Sequence, residues 1–219
     1  MRNKATMGIV LLVVVIAGLP LACKAKPGTA GQSAMANLTP EQQRQVDLIR
    51  IPEQNSPVDI SPEQLTRMKL MKFLGPNASL TILPVRINGN AEDAASAGDL
   101  ARMINDAGLC KAAPAKQSLL LRASLNDPNE MNKLLDMARE FRDYVKKNPP
   151  DTDYVLYADY IFTPNWEFVM VHFVVCDRQG EWVIRDLQNS HHPDYQSINP
   201  KSKEDCNKLV VKRLASWLR

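Results

Sequence analysis

The sequence predicts an α/β (α+β) protein, a two-layer sandwich in which helices pack on a mixed, mainly antiparallel sheet of four or five strands. Three observations predict this fold class. Apolar residues fill Leu80–Ile87, four helix starts carry capping residues, and the aromatic and β-branched stretch Tyr154–Leu187 divides into strands joined by turns. Those last strands form a C-terminal three-strand meander, on which the helices bury their apolar faces.

The amino terminus has the pattern of a bacterial secretory signal. Two positive charges in Met1–Lys4 precede an uncharged apolar run, Met7–Ala22, and this order is typical of a signal peptide. As a spanning helix the run is short of the roughly 20 residues that a hydrocarbon core requires. We therefore expect residues 1–22 to be removed, with a retained anchor as the alternative.

Residues Leu19–Cys23 resemble the lipobox of bacterial lipoproteins, in which a small residue precedes a cysteine that receives a diacylglyceryl group. Ala22 and Cys23 match this pattern, whereas Pro20 stands where leucine or a similar residue is usual. The resemblance implies a lipid on Cys23 that holds the protein at a membrane without spanning it. The alternative is a soluble secreted protein cut near Ala22 or Ala25.

The residues after the cleavage point indicate where the protein resides and what it does not bind. Lys24, next to a lipidated Cys23, resembles the signal for the outer membrane, so we expect a location in the bacterial envelope facing the periplasm. Residues 23–36 lack periodicity and predict a flexible tether. Loss of Arg2 and Lys4 lowers the formal charge from +3 to +1, which disfavours a nucleic-acid binder.

The tether leads into a helical leader, residues 37–78, and then an α/β domain, residues 79–219. Thr39 and Ser61 each precede Pro-Glu-Gln, which predicts an N-cap, a proline in the first turn and a capping box. The domain elements, in order, are the strand Leu80–Ile87 with an edge position or bulge at Pro84, a helix over Ser96–Ala107, a short strand at Leu119–Ala123, a helix from the Asp127 cap to Asn148, the strands Tyr154–Phe162, Phe168–Cys176 and Glu181–Leu187, and a final helix capped by Ser202.

This order of elements resembles the α/β module of several bacterial envelope proteins: the amino-terminal domain of the Tol-system propeller protein, the curli secretion lipoprotein and lipoprotein activators of penicillin-binding proteins. The similar segments are Leu80–Val85, Thr152–Tyr160 and Val174–Val183. Ala158 replaces a usual glycine and Gln179 a usual threonine. The resemblance covers about residues 80 to 218 and implies a non-enzymatic binding or scaffold domain with a protein partner in the envelope.

Cysteine content allows one internal bridge. With Cys23 acylated, an oxidising periplasm leaves Cys110, Cys176 and Cys206 for one disulfide of unknown pairing and one spare thiol. Wide spacing, without C-x-x-C, indicates neither a zinc ribbon nor a thioredoxin-type pair. The alternative is that all three are buried small apolar residues.

The polar segment after the last strand is the candidate for chemistry. Asp186, His191, His192 and Asp194 cluster there, and His172 lies on a strand that could neighbour it. Imidazole and carboxylate groups are suitable ligands for a divalent transition metal. The adjacent histidines point to opposite sides in an extended chain, and their spacing matches no known zinc motif, so a loop held by side-chain hydrogen bonds is the favoured interpretation.

No catalytic signature or cofactor motif is present: there is no nucleophile elbow and no Walker or dinucleotide glycine loop. The leading hypothesis is a lipid-anchored envelope protein whose α/β domain binds another envelope component. The alternative is a metal-dependent or hydrolytic enzyme that uses Asp186, His191 and His192. Aromatic residues either fill the sheet–helix core or form a docking face: Tyr154, Tyr157, Tyr160, Trp166, Phe168 and Trp182.

Overall fold

The computed structural model describes residues 38–51, 59–89, 91–116, 119, 121, 129–163, 165 and 167–219. Cys23, the signal segment and the tether lie outside these ranges. The helices are α1 (Pro40–Leu48), α2 (Pro62–Leu74), α3 (Ala94–Asp106), α4 (Glu130–Lys147), α5 (Pro193–Ile198) and α6 (Lys203–Leu218), and the strands are β1 (Ser79–Ile82), β2 (Val85–Ile87), β3 (Ala91–Asp93), β4 (Lys111–Pro114), β5 (Tyr154–Phe162), β6 (Phe168–Asp177) and β7 (Trp182–Asn189).

The helix starts follow the capping pattern in the sequence. The side chains of Thr39, Ser61 and Ser202 each accept a backbone N–H in the first turn, and Thr39 forms a complete capping box. The predicted cap at Asp127 lies outside the described residues. Among the described residues, no helix is both long and apolar enough to cross a membrane.

The sheet is mixed and mostly antiparallel, as predicted, and its seven strands form five rows. β1 and β2 both run parallel to β5, with Leu80 opposite Tyr154 and Arg86 opposite Asp159. They are therefore two halves of one row, interrupted at Pro84, which has no N–H to give to the ladder. β4 pairs with β1 and β3 with β2, while β5, β6 and β7 form the antiparallel meander.

The outer strand next to β1 differs from the predicted one. The predicted strand at Leu119–Ala123 is wrong for its described residues, because Leu119 and Leu121 lie outside any strand. The edge strand is β4 instead, whose alanines give no strand pattern. The Asn105 amide donates to Ala112 O and accepts from Ala112 N at 2.8 Å each, which occupies the groups that this edge would otherwise present to another strand.

Strand alternation divides the interior into two cores. One face of the sheet carries α2, α3 and α6, and the core on this face includes Met68 of the leader helix α2. The other face is covered by α4, which packs Leu134, Phe141 and Val145 against Val155 and Val174. Helices therefore lie on both faces, and α4 adds a third, partial layer to the predicted two.

The turn between β6 and β7 limits how α4 can approach. Gly180 has φ +75°, and a Cβ there would lie 2.6 Å from Lys146 Cγ and 2.8 Å from Arg142 O.

Gly180→Ala is therefore expected to lower the free energy of unfolding by about 1–3 kcal/mol, measured by urea denaturation. The control is Gly98→Ala in α3, where no heavy atom lies within 4 Å and alanine stabilises a helix by up to about 1 kcal/mol. Equal stability of the two variants would contradict the close approach.

Candidate functional site

Asp186, the first of the candidate metal ligands, is buried against α6. Its Oδ2 accepts hydrogen bonds from Arg213 Nε at 2.9 Å and Trp217 Nε1 at 3.0 Å, and Gln188 Nε2 donates to Oδ1. The guanidinium of Arg213 also lies over the Trp217 ring, 5.5 Å from the ring centroid. This carboxylate is thus already occupied by donors from α6 and from its own strand.

Asp194 belongs to the same ion-pair network. It accepts from Arg213 Nη1 at 2.9 Å and lies 2.9 Å from Lys212 Nζ. Arg213 therefore bridges the two carboxylates that the metal hypothesis requires. Removing one partner of a buried pair typically costs about 3–5 kcal/mol, so these residues hold α5 and α6 against β7.

The candidate histidines lie in three different environments. His191 is exposed, and its backbone N–H donates to Asn189 Oδ1. His192 stands at the N-cap of α5. His172 is buried on β6 with Met170 and Val174, on the α4 face, whereas Asp186 points to the α6 face. The strands do neighbour each other, but alternation separates the side chains of His172 and Asp186. The described residues contain no group of three or more metal-ligating side chains.

His172 belongs instead to a row of ionisable residues that crosses three strands under α4. Arg86 of β2 is opposite Asp159 of β5, and Asp159 is opposite His172 of β6. Directly opposed residues on one face have neighbouring side chains. All three are buried, with exposed fractions of 2%, 3% and 2%.

Hydrogen bonds to β3 and to the turn before it hold Arg86 and Asp159 of this row. Arg86 Nη1 donates to Glu92 Oε1 at 2.6 Å and its Nη2 to Gly89 O at 2.7 Å. Gly89 N donates to Asp159 Oδ1 at 3.0 Å. Burial raises the pKa of Asp159 to about 6, opposed by the Gly89 hydrogen bond and the Arg86 charge. Burial lowers the pKa of His172 to about 4, and the Lys133 charge adds to this effect.

The three cysteines are separate, buried free thiols. Cys176 lies in the core under α4, and Cys110 and Cys206 lie in the other core. Cys110 comes just before β4, and Cys206 lies on α6. Burial raises the pKa of Cys110 to about 12. The fold therefore brings no two of these thiols within bonding distance.

Most of the predicted aromatic set lies in the core. The tyrosines Tyr154, Tyr157 and Tyr160 are buried. Phe168 packs edge-on to Phe162, with the two ring centroids 4.4 Å apart. Trp166 lies outside the described residues. Trp182, at the start of β7, is half-buried and borders solvent. The tyrosines therefore fill the two cores, and Trp182 is the member that lies at a surface groove.

That groove, which we call the basic groove, lies between α2, α4 and β7 and has a volume of about 270 Å³. Gln64 and Arg67 line it from α2, Arg142 from α4, and Trp182 and Arg185 from β7. The guanidinium carbons of Arg142 and Arg185 lie 5.2 and 4.3 Å from the Trp182 ring centroid, close enough for cation–π attraction. The groove is thus a surface site with charged donors around an aromatic ring.

Gln64 and Trp182 fix the floor of the basic groove. Gln64 Nε2 donates to Val183 O at 3.1 Å, and its Oε1 accepts from Arg185 Nη2 at 3.2 Å. Trp182 Nε1 donates to Ala138 O at 3.1 Å. These bonds tie β7 to α2 on one side and to α4 on the other, so the arginines project from a fixed frame.

A larger cleft, of about 410 Å³, lies where α4 ends beside β1. Tyr144 and Val155 line it, together with Lys116 and Asp151, one charge of each sign. Its surface therefore has no net charge to select a ligand, whereas the basic groove does.

Comparisons with known proteins identify no family. No protein-family model matches the chain, and no curated protein matches it. Among solved structures, TolB from Acinetobacter baumannii is similar to the chain with a TM-score of 0.34 and 17% identity, over 66% of this chain and 29% of the TolB chain. The chain thus spans under a third of the length of the TolB chain.

The buried row predicts opposing pH effects on stability. Folded Asp159 holds its proton up to about pH 6, whereas an unfolded aspartate loses it near pH 3.9, so this group destabilises the fold as pH rises from 4 to 6. Folded His172 stays neutral down to about pH 4, whereas an unfolded histidine is protonated below about pH 6.5, so it stabilises the fold as pH rises. The two contributions cancel over this window.

Asp159→Asn is therefore expected to make the free energy of unfolding rise with pH, relative to wild type, by about 1.4 kcal/mol per pH unit between pH 4.5 and 5.5. His172→Gln is expected to make it fall by a similar amount, and the double variant to match the wild-type slope. Urea denaturation at three pH values measures these slopes. Single variants with the wild-type slope would show that neither pKa is shifted.

Proposed function

We propose that the protein is an exported, lipid-anchored envelope protein whose α/β domain binds another envelope component without catalysis. The export segment 1–22, the lipobox at Cys23 and the tether 23–36 support anchoring at the outer membrane, facing the periplasm. The basic groove is the single observation that carries the binding role.

The placement of charge in the fold supports binding rather than chemistry. The buried Asp186 and Asp159 and the half-buried Asp194 are engaged inside the domain: Asp186 and Asp194 with Arg213, and Asp159 with Gly89. Burial lowers the pKa of His172 to about 4, so it is neutral at physiological pH. The basic groove, in contrast, presents arginine and tryptophan at the surface, residue types that are enriched at binding hot spots.

The position of the basic groove fits a tethered binder. It lies at the β7 edge of the sheet, where α2 and α4 approach from the two faces. Arg67 Nε lies 3.4 Å from Asp177 Oδ2, and Arg142 Nη2 lies 3.0 Å from Asp143 Oδ1, so both guanidinium groups are held by ion pairs. A pre-organised surface loses less side-chain entropy on association than a mobile one.

Two changes in the full chain with a C-terminal tag test the proposal. Cys23→Ser is expected to remove the lipid, which mass spectrometry of the amino terminus detects, and to move the protein from the membrane fraction to the soluble envelope fraction. Substitution of Arg67, Arg142 and Arg185 by glutamine is expected to reduce recovery of a cross-linked envelope partner at least tenfold, or about 1.4 kcal/mol, while leaving the lipid in place.

The matched controls change the same residue types elsewhere. Cys110→Ala removes a buried thiol and should leave fractionation unchanged. Arg44→Gln with Arg102→Gln removes two exposed arginines of α1 and α3, with exposed fractions of 77% and 65%, and should leave partner recovery unchanged. An unmodified amino terminus in the wild type, or equal partner losses in both arginine sets, would contradict the proposal.

A further inference from the structure

We propose that the basic groove binds the carboxylate of an acidic side chain of a protein partner, and that Arg185 receives it. This inference rests on the proposed function and names the chemistry of the recognised group.

Arg185 has a guanidinium that forms no ion pair with a carboxylate among the described residues. Its Nη2 donates to Asp59 O at 3.0 Å and to Gln64 Oε1 at 3.2 Å, both neutral acceptors. Its Nε is buried without a hydrogen-bond partner, and Nη1 makes no hydrogen bond to the described residues. Burial, followed by the nearby Arg139, lowers the pKa of Arg185, and the Asp59 charge opposes this. Among the described residues, the guanidinium thus contacts neutral acceptors and the Trp182 ring but no carboxylate.

The other arginines of the groove already have carboxylate partners. Arg67 pairs with Asp177 and Arg142 with Asp143. Their ion pairs fix these side chains in place beside Arg185, which forms no such pair among the described residues. A ligand therefore gains most by offering its negative charge to Arg185.

The charges of the lining favour a ligand with a single negative charge. Arg67 and Arg142 are paired with Asp177 and Asp143, so Arg185 is the cation of the lining that a ligand can neutralise. Two glutamates, Glu63 and Glu181, also line the groove. A carboxylate carries one negative charge, whereas a phosphate group carries roughly −1.5 to −2 at pH 7 and would be repelled more strongly by these glutamates. Guanidinium–carboxylate hydrogen bonds are among the stronger ones in proteins.

The volume of the groove favours a side chain over a free metabolite. At about 270 Å³ it falls below the roughly 300–1,000 Å³ of pockets for drug-sized ligands. The Trp182 ring, with Arg185 at 4.3 Å, supplies an apolar surface for the methylene groups of such a side chain. An acidic side chain therefore matches the groove in charge, size and polarity.

The test uses the full lipidated chain in a neutral detergent with ¹⁵N-labelled indoles. The chain has 3 tryptophans, and Trp182→Phe identifies the Trp182 signal. The probes are N-acetylglutamate α-amide, its neutral isostere N-acetylglutamine α-amide, and inorganic phosphate at matched ionic strength. We expect a saturable shift of the Trp182 signal with the glutamate probe, and at least tenfold weaker responses to the other two.

Arg185→Gln is expected to weaken the glutamate response at least tenfold, and Arg102→Gln on α3 to leave it unchanged. If Arg185→Gln fails to fold, Arg142→Gln carries the test, with an expected loss of severalfold. An equal response to the glutamine probe, a stronger response to phosphate, or an undiminished response in the folded Arg185→Gln protein would overturn the inference.

Failure of this inference can be told apart from failure of the proposed function. If the chain is lipidated and recovers an envelope partner, but its Trp182 signal does not respond to the glutamate probe, the proposed function stands and the carboxylate site is wrong. If the Trp182 signal responds to the glutamate probe, but the amino terminus is unmodified, the carboxylate site stands and the proposed lipid anchor is wrong.

Discussion

Side-chain alternation along β5 is the constraint on which the rest of the structure depends. β5 lies between β1 and β2 on one side and β6 on the other, so alternate residues enter two separate cores. This alternation places Asp159 and His172 under α4, and the same pattern in β7 places Asp186 under α6. His172 and Asp186, which lie on neighbouring strands, are therefore separated by the thickness of the sheet, and the two side chains do not meet in one site.

Each set of buried ionisable groups has a structural role. Arg213 donates hydrogen bonds to both Asp186 and Asp194 and so holds α5 and α6 against β7. Arg86 holds Glu92 and Gly89, which fixes the turn between β2 and β3. Buried pairs of this kind do not greatly stabilise a fold, but they strongly penalise arrangements that leave one partner alone. The binding role that we propose therefore rests on the basic groove, where Arg185 donates to neutral acceptors.

The sequence was informative where structure depends on local pattern. The caps at Thr39, Ser61 and Ser202 and the β5–β7 meander followed from spacing and turn residues. β4 was missed because its residues have no strand pattern and are placed by pairing with β1. The basic groove was missed because its arginines come from three elements far apart in the chain. One local signal existed: Arg185 is a charge inside a strand that is otherwise largely buried.

The most direct test of the central claim is site-specific photo-crosslinking in intact cells. A benzophenone side chain replaces Glu63, at the basic groove, or Lys111, on the opposite edge of the sheet. The account predicts one saturable protein adduct from position 63 that Arg185→Gln removes and Arg102→Gln preserves, and no such adduct from position 111. The same adduct from both positions, or an adduct at position 63 that survives Arg185→Gln, would contradict it.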